Sequence, residues 1–272
     1  MSAAAATVPV ARSEPTRAEP TCAETVVAAL ARQIEDGMVI ATGVASWIPI
    51  LAIAVARATH APRLNYIACV GALDPALTRL YPSAEDLAFL DGRVGEVSIP
   101  DLFDHARRGR IDAMFFGAAE IDGFGDTNLS AAGSLERPIY KFPGVAGAAT
   151  LRRWVRRPIL WIGRQSRRNL VPQVQVASTR NRSRRTPLYT DLGVFEVGGD
   201  GARLRARHPW ATVEEIRDST GFGYEVEEPL AVTPKPSAEH LDAIRSIDVD
   251  NLRERMIASG RSDSRSTKAR RN

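Results

Sequence analysis

The chain has 272 residues, of which 44% are hydrophobic and 25% are charged, and its formal net charge is +4. This composition is typical of a globular protein with a substantial core, and no apolar run approaches the length of a membrane-spanning helix. Two cysteines cannot form a disulfide framework, and the four histidines stand too far apart for metal-ligand spacing. We therefore expect a cytoplasmic protein without a structural metal ion.

The two ends of the chain differ in composition from the rest. Residues 1–20 are rich in Ala, Pro and Thr, and charged residues interrupt the continuous apolar centre that a signal peptide would need. Residues 258–272 are polar and basic. We expect a disordered leader at 1–20, one folded domain at 21–257 and a disordered basic tail at 258–272.

Helical and strand patterns alternate through the first half of the folded region. Thr21 and Glu24 have the spacing of a capping box, and the apolar residues that follow lie on one helical face. The elements expected next are a strand at 38–42, a helix that Pro49 opens, a strand at 64–69, helices that Ser83 and Ser98 cap, and a strand at 111–116. This alternation predicts an α/β fold with an open, mostly parallel sheet flanked by helices. Ligands of such sheets bind beyond the carboxyl ends of the strands.

The second half has shorter and less regular patterns. Residues 158–163 and 171–177 are strand-like, and a glycine-rich turn at 198–201 predicts an antiparallel hairpin between residues 190–197 and 202–207. A second capping box begins at Thr212, and residues 241–257 have a mostly helical pattern. We find no internal repeat and no clear linker, which supports a single domain.

Positive charge is concentrated in residues 151–190, which contain no Asp or Glu. The arginines of this block are Arg152, Arg153, Arg156, Arg157, Arg164, Arg167, Arg168, Arg180, Arg182, Arg184 and Arg185. Such a block predicts an acidic partner, either a phosphorylated ligand, an acidic subunit face or nucleic acid. A solvated rim is the simpler explanation for the individual arginines. Nucleic acid is disfavoured, because no aromatic interleaving or recognised module accompanies them.

The segment from Ile111 to Ala149 combines an expected buried strand with closely spaced turn residues. Gly117 ends the strand, a turn follows at residues 123–126, and Pro143-Gly144 begins a further loop. Glycines allow a backbone to approach a ligand closely, and exposed N–H groups on such loops bind anions or a developing oxyanion. Ordinary turns between strands are the alternative interpretation.

The ordered set of motifs in this chain resembles the β subunit of family I CoA-transferases, most of all the glutaconate CoA-transferase type. The motifs are GAAEID at 117–122, GDTN at 125–128, RP at 137–138, PGVAG at 143–147, TDLGVF at 190–195, HPWATVEE at 208–215 and TGF at 220–222. Together they cover nearly everything between the two tails. A set that agrees along most of a chain is more specific than any single glycine motif.

This resemblance implies a heteromeric enzyme that acts on an acyl-CoA thioester and needs no further cofactor. The expected partner is a homologous α-like subunit, in a heterodimer or heterotetramer with a shared active site. In such transferases a β-subunit glutamate attacks the substrate and forms a Glu–CoA thioester, and N–H groups of a glycine-rich loop stabilise the oxyanion. The positions that the resemblance assigns to CoA and acyl binding are Gly71, Gly117, Asn128, Gly144, Val145, Ala146 and Gly147.

The nucleophilic glutamate of the family is missing. It stands two residues before a glycine at a strand end, and Cys69 occupies that position here. A thiol cannot form the Glu–CoA intermediate. It can be acylated where a positive field favours its thiolate, or it can be a small buried core residue. The glycine-rich loop also differs, because Ala146 and Ala149 replace a glycine and an asparagine, which stiffens the loop.

Glu120 is the second candidate catalytic residue. The resemblance places it at the mouth of the same expected cleft, where family members carry Glu or Gln. A carboxylate there acts as a general base if burial raises its pKa. The alternative is a structural carboxylate that accepts hydrogen bonds from backbone N–H groups.

Three functions remain open from the sequence. The first is transfer of CoA between carboxylic acids, against which Cys69 argues. The second is hydrolysis, because the chain also resembles a heteromeric actinobacterial hydrolase that lacks the glutamate and opens a ring of a steroid-derived CoA thioester. The third is a non-catalytic subunit that supports an α-like chain, since loss of a nucleophile usually removes most activity.

Overall fold

The computed structural model describes residues 19–44, 47–180 and 182–257. The helices are α1 Cys22–Ala31, α2 Trp47–Ala58, α3 Ile99–Arg107, α4 Ala148–Trp154, α5 Val213–Asp218, α6 Ala238–Ile247 and α7 Leu252–Ile257, with a 3-10 helix at Leu87–Leu90. The strands are β1 Val39–Thr42, β2 Asn65–Ile67, β3 Ala72–Leu73, β4 Gly95–Glu96, β5 Ala113–Gly117, β6 Glu120–Ile121, β7 Thr127–Asn128, β8 Ala131–Gly133, β9 Pro138–Lys141, β10 Arg157–Trp161, β11 Thr186–Tyr189, β12 Gly193–Val197, β13 Ala202–Arg207 and β14 Tyr224–Val232. The expected disordered tail at 258–272, and all but the last two residues of the expected leader, lie outside the described residues.

One large sheet dominates the described part of the chain, in the order β14-β13-β12-β11-β10-β5-β1-β2-β3-β4. Its central strands β11, β10, β5, β1 and β2 are all parallel to one another. Antiparallel strands extend the sheet at both sides. The predicted α/β fold with an open, mostly parallel sheet is therefore confirmed.

Side chains alternate between two buried faces along β5, as the period of a strand requires. Phe115 packs into the core formed with α1, α2, α6 and α7. Met114 and Phe116 pack into the core on the opposite face, to which α3, α4 and α5 contribute. A strand that is buried on both faces has a continuous run of apolar residues. This explains why residues 113–116 are all apolar and do not alternate with polar residues.

The order of the strands reverses at β1. From β1 the chain passes through α2 to β2, which lies on one side of β1. On the other side of β1 lies β5, followed in the sheet by β10 and β11. The register places Ala41 opposite Ile67, and Thr42 opposite Phe115. The carboxyl ends of β2, β1 and β5 therefore share one edge, at the type of switch point where open α/β sheets bind ligands.

The predicted hairpin in the C-terminal half is confirmed as β12 and β13. Gly198 begins its turn with a φ of +108°, and a Cβ at that position would lie 2.5 Å from the carbonyl oxygen of Arg184. Only glycine fits both conditions. The final strand β14, which the sequence did not predict, adds parallel to β13 at the end of the sheet.

One prediction for the second half was wrong. Residues 171–177 form no strand, because N–H groups of this segment donate to side-chain carboxylates: Val174 to Asp122 at 3.4 Å and Gln175 to Glu120 at 2.9 Å.

Residues 241–257 are mostly helical, as predicted, but the structure divides them between α6 and α7. Asp248 causes the break, because its carboxylate accepts the N–H group of Leu252 at 2.8 Å and thereby starts α7.

No helix in the described ranges combines the length and the apolar character that crossing a bilayer would require.

A buried ionic network ties the first helix to the last two. Glu24 is 1% exposed, and its carboxylate accepts the Nε–H of Arg245 at 2.7 Å and an Nη–H of Arg253 at 3.2 Å. Its second oxygen accepts the N–H group of Thr21 at 2.9 Å, which completes the predicted capping box. Burial alone would raise the pKa of Glu24, but the hydrogen bonds from Arg245 and Thr21 and the two positive charges outweigh it and hold the pKa below its ordinary value.

Removal of this carboxylate is expected to destabilise the fold. Glu24→Ala should lower the free energy of unfolding by about 3–5 kcal/mol, because half-buried Arg245 loses this ion pair and buried Arg253 keeps only its ion pair with Asp248. Since the pKa of Glu24 is depressed, its stabilisation should be lost as the pH falls below 4.5. Urea unfolding at pH 7 and pH 4 measures both effects. Asp250→Ala, which breaks an exposed ion pair with Arg79, is the control and should cost less than about 1 kcal/mol.

Candidate functional site

Cys69 lies at the tip of a tight turn between β2 and β3. Gly71 closes this turn by donating its N–H to the carbonyl oxygen of Ala68 at 2.9 Å, which leaves Cys69 and Val70 as the two central residues. Gly71 has a φ of +86°, and a Cβ there would lie 2.9 Å from the carbonyl oxygen of Val97. Gly71 therefore shapes the turn that presents Cys69; its assigned contact with CoA stays a prediction.

Polar side chains support this turn from below. One Asp74 oxygen accepts the backbone N–H of Tyr66 at 2.8 Å and an Nη–H of Arg57 at 2.5 Å. The Tyr66 hydroxyl is buried against the hydroxyl of Thr42, at 2.7 Å, and so connects β2 to the end of β1. These contacts fix the position of the strand end on which Cys69 stands.

The thiol of Cys69 is half-buried in this subunit. Burial raises its pKa above the ordinary value, and the negative charge of Glu85 adds to the shift. Both influences favour the protonated thiol, whereas nucleophilic cysteines have thiolates stabilised by positive charge. The described residues around Cys69 thus hold a neutral S–H group at neutral pH.

Glu120 lies in β6, three residues beyond the end of β5, and is 5% exposed. Its Oε2 accepts the side-chain N–H of Asn128 at 2.8 Å and the backbone N–H of Gln175 at 2.9 Å. Asn128 stands opposite Glu120 on β7 and donates a second N–H to the carbonyl oxygen of Ala131 at 2.7 Å. The structure therefore brings the predicted site residues Glu120 and Asn128 together, with one carboxylate oxygen held by N–H groups and a general-base role still a prediction.

The backbone N–H groups of the loop at 144–147 differ in whether they form hydrogen bonds within the chain. Gly144 donates its N–H to the carbonyl oxygen of Leu129 at 2.9 Å, so this group does not serve an oxyanion. Within the described part of the chain, the N–H groups of Val145, Ala146 and Gly147 have no hydrogen-bond partner. Ala146 adopts a φ of +43°, a left-handed conformation that costs a residue with a Cβ about 1–2 kcal/mol. Strain of this kind often accompanies a functional loop.

The three glycine-containing segments converge on the carboxyl edge of the sheet. Because β1 separates β2 from β5, the ends that carry Cys69 and Gly117 are two strand spacings apart, about 10 Å. The loop at 144–147 joins this edge through Leu129, which directly follows Asn128. On its other side, Gly147 packs so closely on Phe103 of α3 that a Cβ would lie 2.7 Å from the ring. Surface cavities of about 540, 190 and 350 Å³ in the described part of the chain are lined by other residues.

Most arginines of the basic block have partners inside the chain. Arg152 is 1% exposed and donates to the Thr179 hydroxyl at 2.6 Å. Arg182 forms an ion pair with buried Asp126 at 2.6 Å, and Arg184 donates to carbonyl oxygens at the end of α4. These contacts are structural and do not require an acidic partner. No group of three or more His, Cys, Asp or Glu residues in the described ranges could hold a metal ion.

Comparison with known proteins identifies the family. A model of the coenzyme A transferase family matches residues 23–219. The chain belongs to the coenzyme A transferase family. Among curated proteins, this family member is 27% identical to the B-type subunit of 3-oxoadipate CoA-transferase from Pseudomonas knackmussii, over 83% of the chain and 92% of that protein. The resemblance to a β subunit that the sequence motifs indicated is therefore confirmed.

Two solved structures show other relatives of this CoA-transferase family member. A chain of the decarboxylase AibA/AibB is 63% identical, covers 88% of this chain and 99% of its own length, and superposes with a TM-score of 0.87. Further structures of that decarboxylase carry a single cysteine replaced by Val, Ala, Ser or Asn. IpdAB of Rhodococcus jostii RHA1 has a chain that is 25% identical, with a TM-score of 0.75 over 88% of this chain and 99% of that chain. Decarboxylation is a chemistry that sequence reasoning did not consider.

The turn at Cys69 should depend on glycine at position 71. Gly71→Ala is expected to lower the free energy of unfolding by about 1–3 kcal/mol, because the new Cβ meets the Val97 carbonyl in a left-handed conformation. Gly37→Ala is the matched control: Gly37 has a φ of +84° but nothing within 4 Å, so it reports the backbone strain alone. Equal losses in the two variants would show that the Val97 contact does not matter.

The thiol of Cys69 should resist alkylation at neutral pH. In a Cys22→Ser background, where Cys69 is the remaining cysteine, iodoacetamide modification should rise with a midpoint above pH 9.0, since burial and Glu85 raise the pKa. Mass spectrometry of samples quenched across a pH series measures this midpoint. A midpoint near pH 7 would contradict the neutral thiol.

Proposed function

We propose that this chain is the β-like subunit of a heteromeric decarboxylase that releases CO₂ from the CoA monothioester of a dicarboxylic acid. The observation that carries the proposal is Cys69, a protonated thiol at the position that the family resemblance assigns to the nucleophilic glutamate. The 63% identity to the decarboxylase AibA/AibB supports it, against 27% to the transferase subunit.

The names of the relatives support the substrate class. Glutaconate and 3-oxoadipate, the acids named for two related transferases, each carry two carboxylates. Thioester formation on one carboxylate leaves the second as the group that can depart as CO₂. A decarboxylase of this family therefore needs no additional cofactor, because the thioester carbonyl can accept the electron pair of the breaking bond.

The proposed reaction has two balanced steps. First, the carbon–carbon bond to the free carboxylate breaks, CO₂ leaves, and the electron pair moves into the thioester carbonyl to give an enolate or its vinylogous form. Second, a proton returns to carbon, and solvent restores that proton to the donor. The net change is consumption of one proton and loss of one CO₂. The barrier to the first step falls when the enolate oxygen receives N–H hydrogen bonds.

Residues at the carboxyl edge match these needs. The unbonded N–H groups of Val145, Ala146 and Gly147 are donors for the enolate oxygen. The Cys69 thiol is the proton donor for carbon, because its raised pKa keeps the proton on sulfur. A neutral thiol also avoids the repulsion that a glutamate would exert on the departing carboxylate. Glu120, fixed by Asn128, serves as the group that exchanges the proton with solvent.

The expected assembly is a complex with a homologous α-like subunit in the cytoplasm. The similar structures carry the paired names AibA/AibB and IpdAB, which supports a two-subunit enzyme. The three cavities described above do not lie at the carboxyl edge, so we expect a second chain to complete the site.

Hydrolysis is the second candidate. IpdB of Rhodococcus jostii, a cholesterol ring-cleaving hydrolase subunit, is 30% identical over 58% of this chain and 67% of its own length. Over the same share of this chain, 88%, the IpdAB structure is 25% identical and the decarboxylase structure is 63% identical, so we place hydrolysis second.

The complex with its α-like partner and glutaconyl-CoA as probe provides the test. We expect CO₂ release and incorporation of one deuterium into the product in heavy water. Hydrolysis would instead release free CoA and incorporate label from H₂¹⁸O, and transfer would pass CoA to added acetate. CoA transfer without CO₂ would refute the proposal.

Substitutions at position 69 separate the roles of the side chain. Cys69→Ala should lower kcat for CO₂ release about 10²-fold, the lower range for loss of a positioned acid. Cys69→Glu should abolish CO₂ release and form a hydroxylamine-sensitive CoA adduct, because it restores a carboxylate nucleophile. Cys22→Ser, which changes the other cysteine at the start of α1, is the control and should retain full activity. Full activity of Cys69→Ala would remove the thiol from the mechanism.

A further inference from the structure

A cavity of about 350 Å³ lies between the end of α5 and the start of β14. Its lining residues are Arg167, Arg217, Thr220, Gly221, Phe222, Gly223, Tyr224 and Val226. Two arginines and two aromatic residues line one space, and the lining contains no carboxylate. Ligand sites in proteins have volumes of this order and few, well-placed polar groups.

The positive charge of this cavity is uncompensated. The Arg217 guanidinium forms no ion pair or hydrogen bond with the described residues. Arg167 donates Nε–H to the Asp218 carbonyl oxygen at 2.8 Å and one Nη–H to the Arg217 carbonyl oxygen at 3.4 Å, which holds its position and leaves Nη1 unused. Two guanidinium groups without a counter-charge favour binding of an anion.

The Tyr224 hydroxyl is not part of this donor set. Its oxygen is inaccessible to solvent and has no hydrogen-bond partner among the described residues. Tyr224 lines the wall of the cavity, but a group that water cannot reach cannot donate to a ligand in that space. The two arginines therefore supply the donors.

A neighbouring cavity of about 190 Å³ provides the contrast. It shares Gly223 and Tyr224 with the first but is lined by Arg185 and Arg203. These arginines pair with Asp200 and with Glu225 respectively, so that cavity has no free positive charge. The unpaired arginines therefore mark the 350 Å³ cavity as the anion site.

Backbone contacts connect this cavity to the candidate site. Ile121, next to Glu120, donates its N–H to the carbonyl oxygen of Asn169 at 2.7 Å. The adjacent Leu170 accepts the N–H of Gly221, in the cavity wall, at 2.7 Å. Two spacings between hydrogen-bonded chains separate Ile121 from Gly221, a distance of about 10 Å. An elongated ligand can therefore reach from the Glu120 edge to the arginines.

We propose that this cavity, which we name the Arg167–Arg217 cavity, binds a phosphate group of the CoA nucleotide while the thioester end lies at the Cys69 edge. The inference rests on the proposed function in that it takes a CoA thioester as the substrate. Guanidinium groups bind phosphate through paired N–H donors. Arg152, Arg182 and Arg184 of the basic block are excluded from this role by their contacts within the chain.

The test compares two thioesters on the complex with the α-like partner. Glutaconyl-CoA carries the nucleotide and glutaconyl-pantetheine lacks it. Arg217→Ala and Arg167→Ala should each raise KM for glutaconyl-CoA about 10-fold, the effect of losing one charge-assisted hydrogen bond. KM for glutaconyl-pantetheine and kcat for both substrates should not change.

Arg168→Ala is the matched control, because Arg168 is exposed on the same loop but lies outside the cavity lining. It should leave both KM values unchanged. Because Arg167 also contacts the end of α5, Arg217→Ala decides the outcome if Arg167→Ala fails to fold. Unchanged KM for glutaconyl-CoA in Arg217→Ala would overturn the proposal while leaving the decarboxylase function intact.

Direct binding separates failure of the cavity from failure of the proposed function. Calorimetry with CoA, dephospho-CoA and inorganic phosphate requires no turnover. CoA binding that weakens about 10-fold in Arg217→Ala supports the cavity even if the complex releases no CO₂. Equal CoA affinity in the parent complex and in Arg217→Ala would overturn it, and weaker binding of dephospho-CoA than of CoA would identify the 3′-phosphate as the group held.

Discussion

Parallel pairing of β1 with β2 on one side and β5 on the other is the constraint on which the rest of the structure depends. A register that sets Ala41 opposite Ile67 and Thr42 opposite Phe115 brings two distant parts of the sequence to the same edge. A slip of one residue would turn every side chain of a strand to the other face, and both faces of β5 are packed into cores. Core packing therefore fixes the position of the candidate site. The loops at this edge contribute the side chains and N–H groups of the site.

Chemistry on this scaffold depends on a single turn. The turn at Ala68–Gly71 needs glycine at its end and is supported by Asp74 and Tyr66, but it places no demand on the residue at its tip. In the proposed function, cysteine at that tip replaces the glutamate that the family resemblance implies, which removes a nucleophile and a negative charge without altering the turn. This separation between scaffold and tip explains how one fold accommodates relatives named as transferases, a hydrolase and a decarboxylase.

Local signals predicted local structure well. The capping box at Thr21, the cap at Ser98 and the buried strand before Gly117 all appear, because each depends on residues within one turn or one strand. Long-range contacts determine the parts of the structure that local signals did not predict. The N–H groups of residues 174 and 175 bond to carboxylates more than fifty positions away, and no local pattern indicates that. The pairing of Glu120 with Asn128 was predicted as one site only through family resemblance.

The density of charge along the chain was the least informative sequence signal. It counts the charged residues of a segment but does not show where their side chains lie after folding. The eleven arginines of residues 151–190 look like one basic patch, yet the fold assigns them different environments. Arg152 is buried among hydroxyls, Arg184 caps the end of α4, and Arg182 neutralises Asp126. Arg167 instead meets Arg217, which lies outside the block, across a space without a carboxylate. The proposed anion site is therefore indicated by the arginines that have no ion-pair partner after folding. The density of arginine along the chain does not indicate it.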